Sequence, residues 1–147
     1  MKLRSNRKIL ESKLDELFSA YIRMRDKRKY GCCAFSQMRA HRPDLGNDIE
    51  CCFHFVRKSR SKKLRWDDRN AVGACFACNG YMEQNEGPFW TWYARHYGVE
   101  QMEQLQRDSH GIAKFSIDDL RAMVADLQSK IETGARIMSG VVFGGKA

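Results

Sequence analysis

Apolar residues first repeat with a helical period near the N-terminus, where Leu10, Leu14, Leu17, Phe18 and Tyr21 recur at i, i+4, i+7, i+8 and i+11. One stripe of that kind predicts an amphipathic helix over residues 8–29, ended by Gly31. Its last turns, RMRDKRK, are basic. Cations there are favoured by the helix dipole, and they also suit contact with DNA. Residues 32–48 hold Pro43, Gly46, Asn47 and Asp48, which punctuate rather than propagate structure, so a knuckle or loop between two short strands is expected. From Ile49 to Val56 the pattern turns to strand, placing Cys52, His54 and Val56 on one face and Cys51, Phe53 and Phe55 on the other.

The run from Arg57 to Lys63 has no apolar residue and reads as an exposed loop, closing on the turn formers Asp67 and Asp68. A short helix is expected to begin near Phe76 and to carry Cys78, Asn79, Met82 and Glu83, with Glu83 four residues from Asn79 on the same face. Pro88 suits the first turn of a further helix, FWTWYARHY, which Gly98 would end. Helical spacing of its aromatic residues favours a core role over a base-stacking one. A helix from Val99 to about Arg107 follows, and Ser116 with Asp119 forms a capping-box start for the last one. Leu120, Met123, Val124, Leu127 and Ile131 make its stripe, and the glycine-rich residues 134–147 are expected to form a mobile tail. The division is therefore 1–30, a basic amphipathic helix; 31–87, a knuckle with a strand, loop and helix unit; 88–133, helices; and 134–147, tail.

At 147 residues and 43% hydrophobic, the chain suits one domain with a modest core. It shows neither a signal-peptide pattern nor the roughly 20 apolar residues of a membrane span, so no membrane association and an intracellular location are expected. The net charge of +8 is local: residues 1–29 hold ten Lys/Arg against four acids, and residues 57–69 hold seven against two. Concentrated positive charge matches a polyanion, with DNA as the natural partner and Arg57, Lys58, Arg60, Lys62, Lys63 and Arg65 as candidate phosphate contacts.

Six cysteines fall at 32, 33, 51, 52, 75 and 78. Without a secretion signal, the Cys75-x-x-Cys78 pair points to metal, and two thiolates supply half of a tetrahedral zinc site. Side chains of adjacent cysteines diverge on extended backbone, so one member of each doublet is expected to complete the set, with Cys33 and Cys52 chosen. A four-cysteine zinc is closed and structural, and chemistry then needs a second centre. His54, Asn70 and Asn79 are the candidates. Phosphodiester hydrolysis needs an activated water and stabilisation of transition-state charge. A neutral His54 imidazole would serve as base, Asn70 would orient its ring, and the Asn79 amide oxygen suits Mg²⁺ or Mn²⁺.

The stretch His54 to Arg57, the R-W-D-x-x-N at Arg65 to Asn70 and the C-x-x-C-N at Cys75 to Asn79 together resemble the HNH nuclease motif, most closely that of the NinG/Rap recombination proteins of lambdoid phages. The likeness extends over roughly residues 15–132, through AYIRMRDK at Ala20 to Lys27 and YGVEQMEQL at Tyr97 to Leu105. It implies a mainly helical α+β fold, with a small zinc-stabilised ββα-metal (HNH) unit flanked by an N-terminal helix and C-terminal helices. It also implies a metal-dependent endonuclease acting on Holliday junctions and flaps during phage recombination, in the cytoplasm of a bacterial host. C-x-x-C-N is similar to the ending of the junction-resolving endonuclease VII group, which would give Asn79 the catalytic metal.

Two departures stand out. The family's first zinc pair is a C-x-x-C knuckle, whereas Cys32 and Cys33 are adjacent. The carboxylate that many HNH enzymes carry before the histidine is replaced by Phe53, leaving His54 itself or Glu83 as second metal ligand. A zinc-stabilised DNA-binding module without catalysis is the competing class, and a zinc-dependent protein-interaction domain a third. Symmetric cutting of a four-way junction would call for a homodimer.

Overall fold

The computed structural model describes residues 2–139. Helix α1 (Lys2–Tyr30) leads into turns and a single 3₁₀ turn at Pro43–Leu45, then strand β1 (Cys51–His54). After a loop and a second 3₁₀ turn at Asp68–Asn70 come strand β2 (Ala71–Ala74) and helices α2 (Phe76–Met82), α3 (Glu86–Tyr97), α4 (Val99–Asp108) and α5 (Ile117–Met138). The fold is thus mainly helical α+β, with five helices and one two-stranded sheet among the described residues.

β1 and β2 pair antiparallel, Cys51 opposite Ala74 and His54 opposite Ala71. Both faces of this small sheet are covered, which is why every residue of β2 is buried. On one face lies an aromatic core. Phe35 meets Phe53, Phe89 and Trp92 edge-on, with ring centroids 4.7, 4.8 and 4.9 Å apart, a geometry that aligns ring edges with ring faces. The α3 aromatics Phe89, Trp92 and Tyr93 are buried there, in the core role their spacing predicts. On the other face, Leu14, Phe18 and Ile22 of α1 pack with Leu120, Val124 and Leu127 of α5 and with Ala71.

α1 and α5 run side by side in the same direction. Arg7 donates to the Phe115 carbonyl just before α5 begins, at 2.8 Å, and Met24 lies against Gly134 near its end. A Cβ on Gly134 would meet the end of the Met24 side chain, which would have to turn aside. The capping box forms as expected, the Asp119 N–H donating to Ser116 Oγ at 3.0 Å and the Ser116 N–H to Asp119 Oδ2 at 2.8 Å.

Four expectations need correction. α1 begins at Lys2 rather than residue 8. Residues 32–48 contain turns and no strand among the described residues. Val56 enters the aromatic core, because the chain leaves the sheet after His54 and strand alternation ends there. α5 continues through residues 134–138, into the segment assigned to the tail; residues 140–147 lie outside the described residues.

α1 is fastened to the sheet by a buried charge. Asp26 is fully buried and accepts from the Gly73 N–H at 2.7 Å and from Arg25 Nε at 2.8 Å. Arg25 in turn donates to the carbonyls of Ala71 at 2.7 Å and Asp68 at 3.1 Å. Part of the basic run RMRDKRK is therefore a staple, while Lys27, Arg28 and Lys29 remain exposed. Removing one partner of a buried pair strands the other. Asp26→Ala is expected to lower stability by about 3 kcal/mol in urea unfolding; a change under roughly 1 kcal/mol would show the pair to be incidental.

Candidate functional site

The turn after α1 and the N-terminus of α2 meet at four donors. Cys33, His41, Cys75 and Cys78 are all buried, and one ligand atom from each lies within 4.8 Å of every other. His41 Nδ1 is 3.2 Å from Cys78 Sγ and 3.9 Å from Cys75 Sγ, and the Cys33 and Cys78 sulfurs are 4.0 Å apart. A tetrahedral zinc with Zn–S of about 2.3 Å separates its sulfurs by roughly 3.8 Å. Three thiols and an imidazole at these spacings fit zinc, closed to substrate and structural in kind. Crowding drives the thiols apart: a hydrogen bond from Cys78 holds Cys33 down to about 5, and the same contact pushes Cys78 up.

Cys52 does not belong to this set. The pleat turns it to the opposite face, against the α1–α5 cluster, where burial pushes its thiol up to about 12. Cys51, pushed by burial to about 11, donates to the Ala74 carbonyl at 3.3 Å. His41 takes the fourth place. Its sequence signal was weak, an imidazole in a turn-rich stretch beyond Cys33, which a count of cysteines passes over.

On the other side of β1, a cleft of about 440 Å³ is lined by Asp15, Ser19, His54, Arg57, Asn79 and Glu83 among others. His54 and Asn79, predicted from sequence to act together, share it. The His54 ring lies 5.7 Å from that of Phe18, and its Nε2–H donates to the Arg65 carbonyl at 3.0 Å. That bond assigns the proton to Nε2 and leaves Nδ1 as the lone-pair nitrogen. Burial depresses the imidazole below its ordinary value, against the opposing pull of the Arg65 carbonyl, the Asp15 charge and the Cys52 carbonyl. The ring is therefore neutral near pH 7. Neither the Asn79 side chain nor Glu83 has a hydrogen-bond or ion-pair partner among the described residues, so both oxygen donors are free.

Asn70 is elsewhere. Fully buried, its amide accepts from the Val56 N–H at 2.8 Å and donates to the carbonyls of Val56 at 2.8 Å and Leu64 at 3.1 Å. These bonds clamp the two ends of the basic loop together. They leave Asn70 no reach to the His54 ring, and the Arg65 carbonyl fills the orienting role expected of it.

A family model described as the bacteriophage lambda NinG protein matches residues 2–136. The chain belongs to the NinG family. It is 25% identical over 114 residues to the protein ninG of Escherichia phage 933W and 24% identical over the same length to those of Salmonella phage P22 and Escherichia phage lambda. Each alignment covers 78% of this chain and 52% of the relative, so the chain spans about half the length of the curated relatives it matches. No solved structure matches it.

In this NinG-family chain the basic loop divides by partner. Arg57 and Lys62 are exposed and make no ion pair among the described residues. Lys58 lies 3.6 Å from Asp15, Arg60 3.5 Å from Glu86 and Lys63 4.0 Å from Asp108, all loose pairs. Arg65 differs, because its fork is held by Asp15, Nε to Oδ1 at 2.9 Å and Nη2 to Oδ2 at 2.6 Å. Trp66 Nε1 donates to the same carboxylate at 2.9 Å. Burial alone would raise Asp15; the bonds from Arg65 and Trp66 outweigh it and hold the carboxyl below its usual range. So Arg65, expected to grip phosphate, instead fixes the backbone that orients His54.

Two outcomes are expected. Metal analysis of the purified chain should find one zinc, lost in Cys78→Ser and His41→Ala and kept in Cys52→Ser; loss in the last variant alone would reverse the ligand assignment. Asp15→Ala should release Arg65 and Trp66, so that nitrogen NMR shows His54 changing from a single Nε2–H tautomer to a mixture, with helix content preserved. An unaltered tautomer would separate Asp15 from His54.

Proposed function

We propose that the cleft hydrolyses phosphodiester bonds in DNA, making the chain a metal-dependent endonuclease of the HNH type whose β1, β2 and α2 form the ββα-metal unit. The observation carrying this reading is a neutral, half-buried His54 in one cleft with the unpartnered Asn79 amide and Glu83 and beside the unpaired Arg57. Nδ1 accepts a proton from water, the resulting hydroxide attacks phosphorus, and the phosphorus–oxygen bond to the leaving strand breaks. A divalent cation such as Mg²⁺ or Mn²⁺, held by Asn79 and Glu83 as hard oxygen donors, supplies charge stabilisation when bound. Glu83 would stand in for the carboxylate that Phe53 displaces, which keeps His54 free as the base.

Arg57 and Lys62 position the phosphates on either side of the cut, and the looser pairs of Lys58, Arg60 and Lys63 exchange their carboxylates for DNA. Branched DNA is the proposed substrate, and phage recombination the proposed setting, on the strength of the resemblance to the NinG/Rap recombination proteins. No helix among the described residues is long and apolar enough to cross a membrane.

The test is cleavage of a synthetic four-way junction with Mg²⁺ or Mn²⁺. His54→Ala should lose roughly 10²–10⁴-fold in rate, the usual worth of a general base, while retaining zinc. Equal rates would remove His54 from the chemistry. A wild-type chain that binds the junction, inert with every metal, would instead be a zinc-stabilised DNA-binding module.

A further inference from the structure

A second groove lies on the far side of α2 from His54. About 770 Å³ in volume, it runs between the turn at residues 37–40 and α3, lined among others by Arg39, Tyr81, Pro88, Trp92, Arg95 and His96. No Asp or Glu lines it. Arg39 and Arg95 are exposed and have no carboxylate partner among the described residues, unlike Arg42, Arg60, Arg65 and Arg69. The His96 ring stacks on Trp92 at 4.0 Å between centroids and 21° between planes, held by a bond from Nδ1 to the Trp92 carbonyl at 2.9 Å. An exposed flat ring is thereby fixed on a buried one. Tyr81, 44% exposed, offers a second.

The groove is joined to the cleft. A depression of about 490 Å³ between them shares Ala40 and Tyr81 with the groove and Glu83 with the cleft, and is lined by Phe76, which is 62% exposed. Aromatic faces in a recess with unneutralised guanidiniums match a chain that is anionic and presents flat, unstacked rings. Duplex DNA hides its base faces inside the stack, whereas a single strand exposes them.

We propose that this groove binds a single-stranded segment of DNA leading away from the His54 cleft, its bases stacking on Tyr81 and His96 and its phosphates paired with Arg39 and Arg95. The inference rests on the reading of the chain as acting on DNA, and it adds to the branched substrates those with a single-stranded arm, such as a flap.

Binding of the zinc-loaded chain to fluorescein-labelled oligothymidine and to a short duplex, measured by anisotropy without added Mg²⁺ or Mn²⁺, tests the groove apart from the cutting. The double variant Arg39→Ala with Arg95→Ala should weaken oligothymidine binding roughly tenfold and reduce its salt slope by about 1.4, two phosphate contacts' worth on a single strand. Tyr81→Ala should weaken it roughly tenfold through lost stacking. Duplex affinity and zinc content should hold in all of these variants. A wild type that fails to bind oligothymidine, an unchanged affinity in the double variant, or an equal loss on duplex would each overturn the groove. Binding is read without Mg²⁺ or Mn²⁺ and without cutting, so a failed cleavage assay leaves this result standing and a failed groove leaves the cleavage result standing.

Discussion

The buried Asp26 carboxylate is the constraint from which the His54 cleft follows. A four-residue pair of strands cannot hold its own shape, and one side of this sheet is closed by α1 alone with α5 behind it. By accepting from Gly73 in β2 and from its neighbour Arg25, Asp26 sets the height and rotation of α1 against the strands. Three turns earlier on the same helix, Asp15 is then in place to hold Arg65 and Trp66. The chain of contacts from a helix staple to the His54 ring is continuous.

The two sides of the sheet have separate duties. The side away from α1 is apolar, stiffened by edge-on aromatic contacts and finished by the thiol and imidazole cluster. The side facing α1 carries the polar cleft, with the half-buried His54 ring and the exposed amide of Asn79. A rigid wall behind a polar cleft keeps the groups that line it in fixed positions.

Much of this was legible in the sequence because it rests on local rules. The helices announced themselves through apolar period and through the Ser116–Asp119 cap, and alternation put His54 opposite Phe53. Cys75 and Cys78 followed from zinc spacing, and Cys33 was the member chosen from its doublet. What escaped required knowledge of contacts distant along the chain. Asn70 has the residue type and position of a catalytic partner, yet its bonds go to Val56 and Leu64. Arg65 sits in a basic run, yet it is neutralised by a carboxylate fifty residues upstream. His41 was hidden because a ligand set assembled from separate turns leaves no fixed spacing to read. Cys52 was misassigned for the converse reason, since strand parity alone does not say which face the metal occupies.

The choice of an imidazole over a fourth thiolate at the metal cluster has an electrostatic consequence. Four thiolates around a zinc dication leave two negative charges, whereas three thiolates and the neutral His41 ring leave one. That cluster stands at the head of α2, between the His54 cleft and the arginine-flanked groove, where a polyanion would pass. Halving its charge lessens the repulsion that a nearby phosphate feels, and in the low dielectric beneath the surface this counts for more than a surface charge would. The identity of one buried ligand therefore tunes the field that the surface above it presents to an anion.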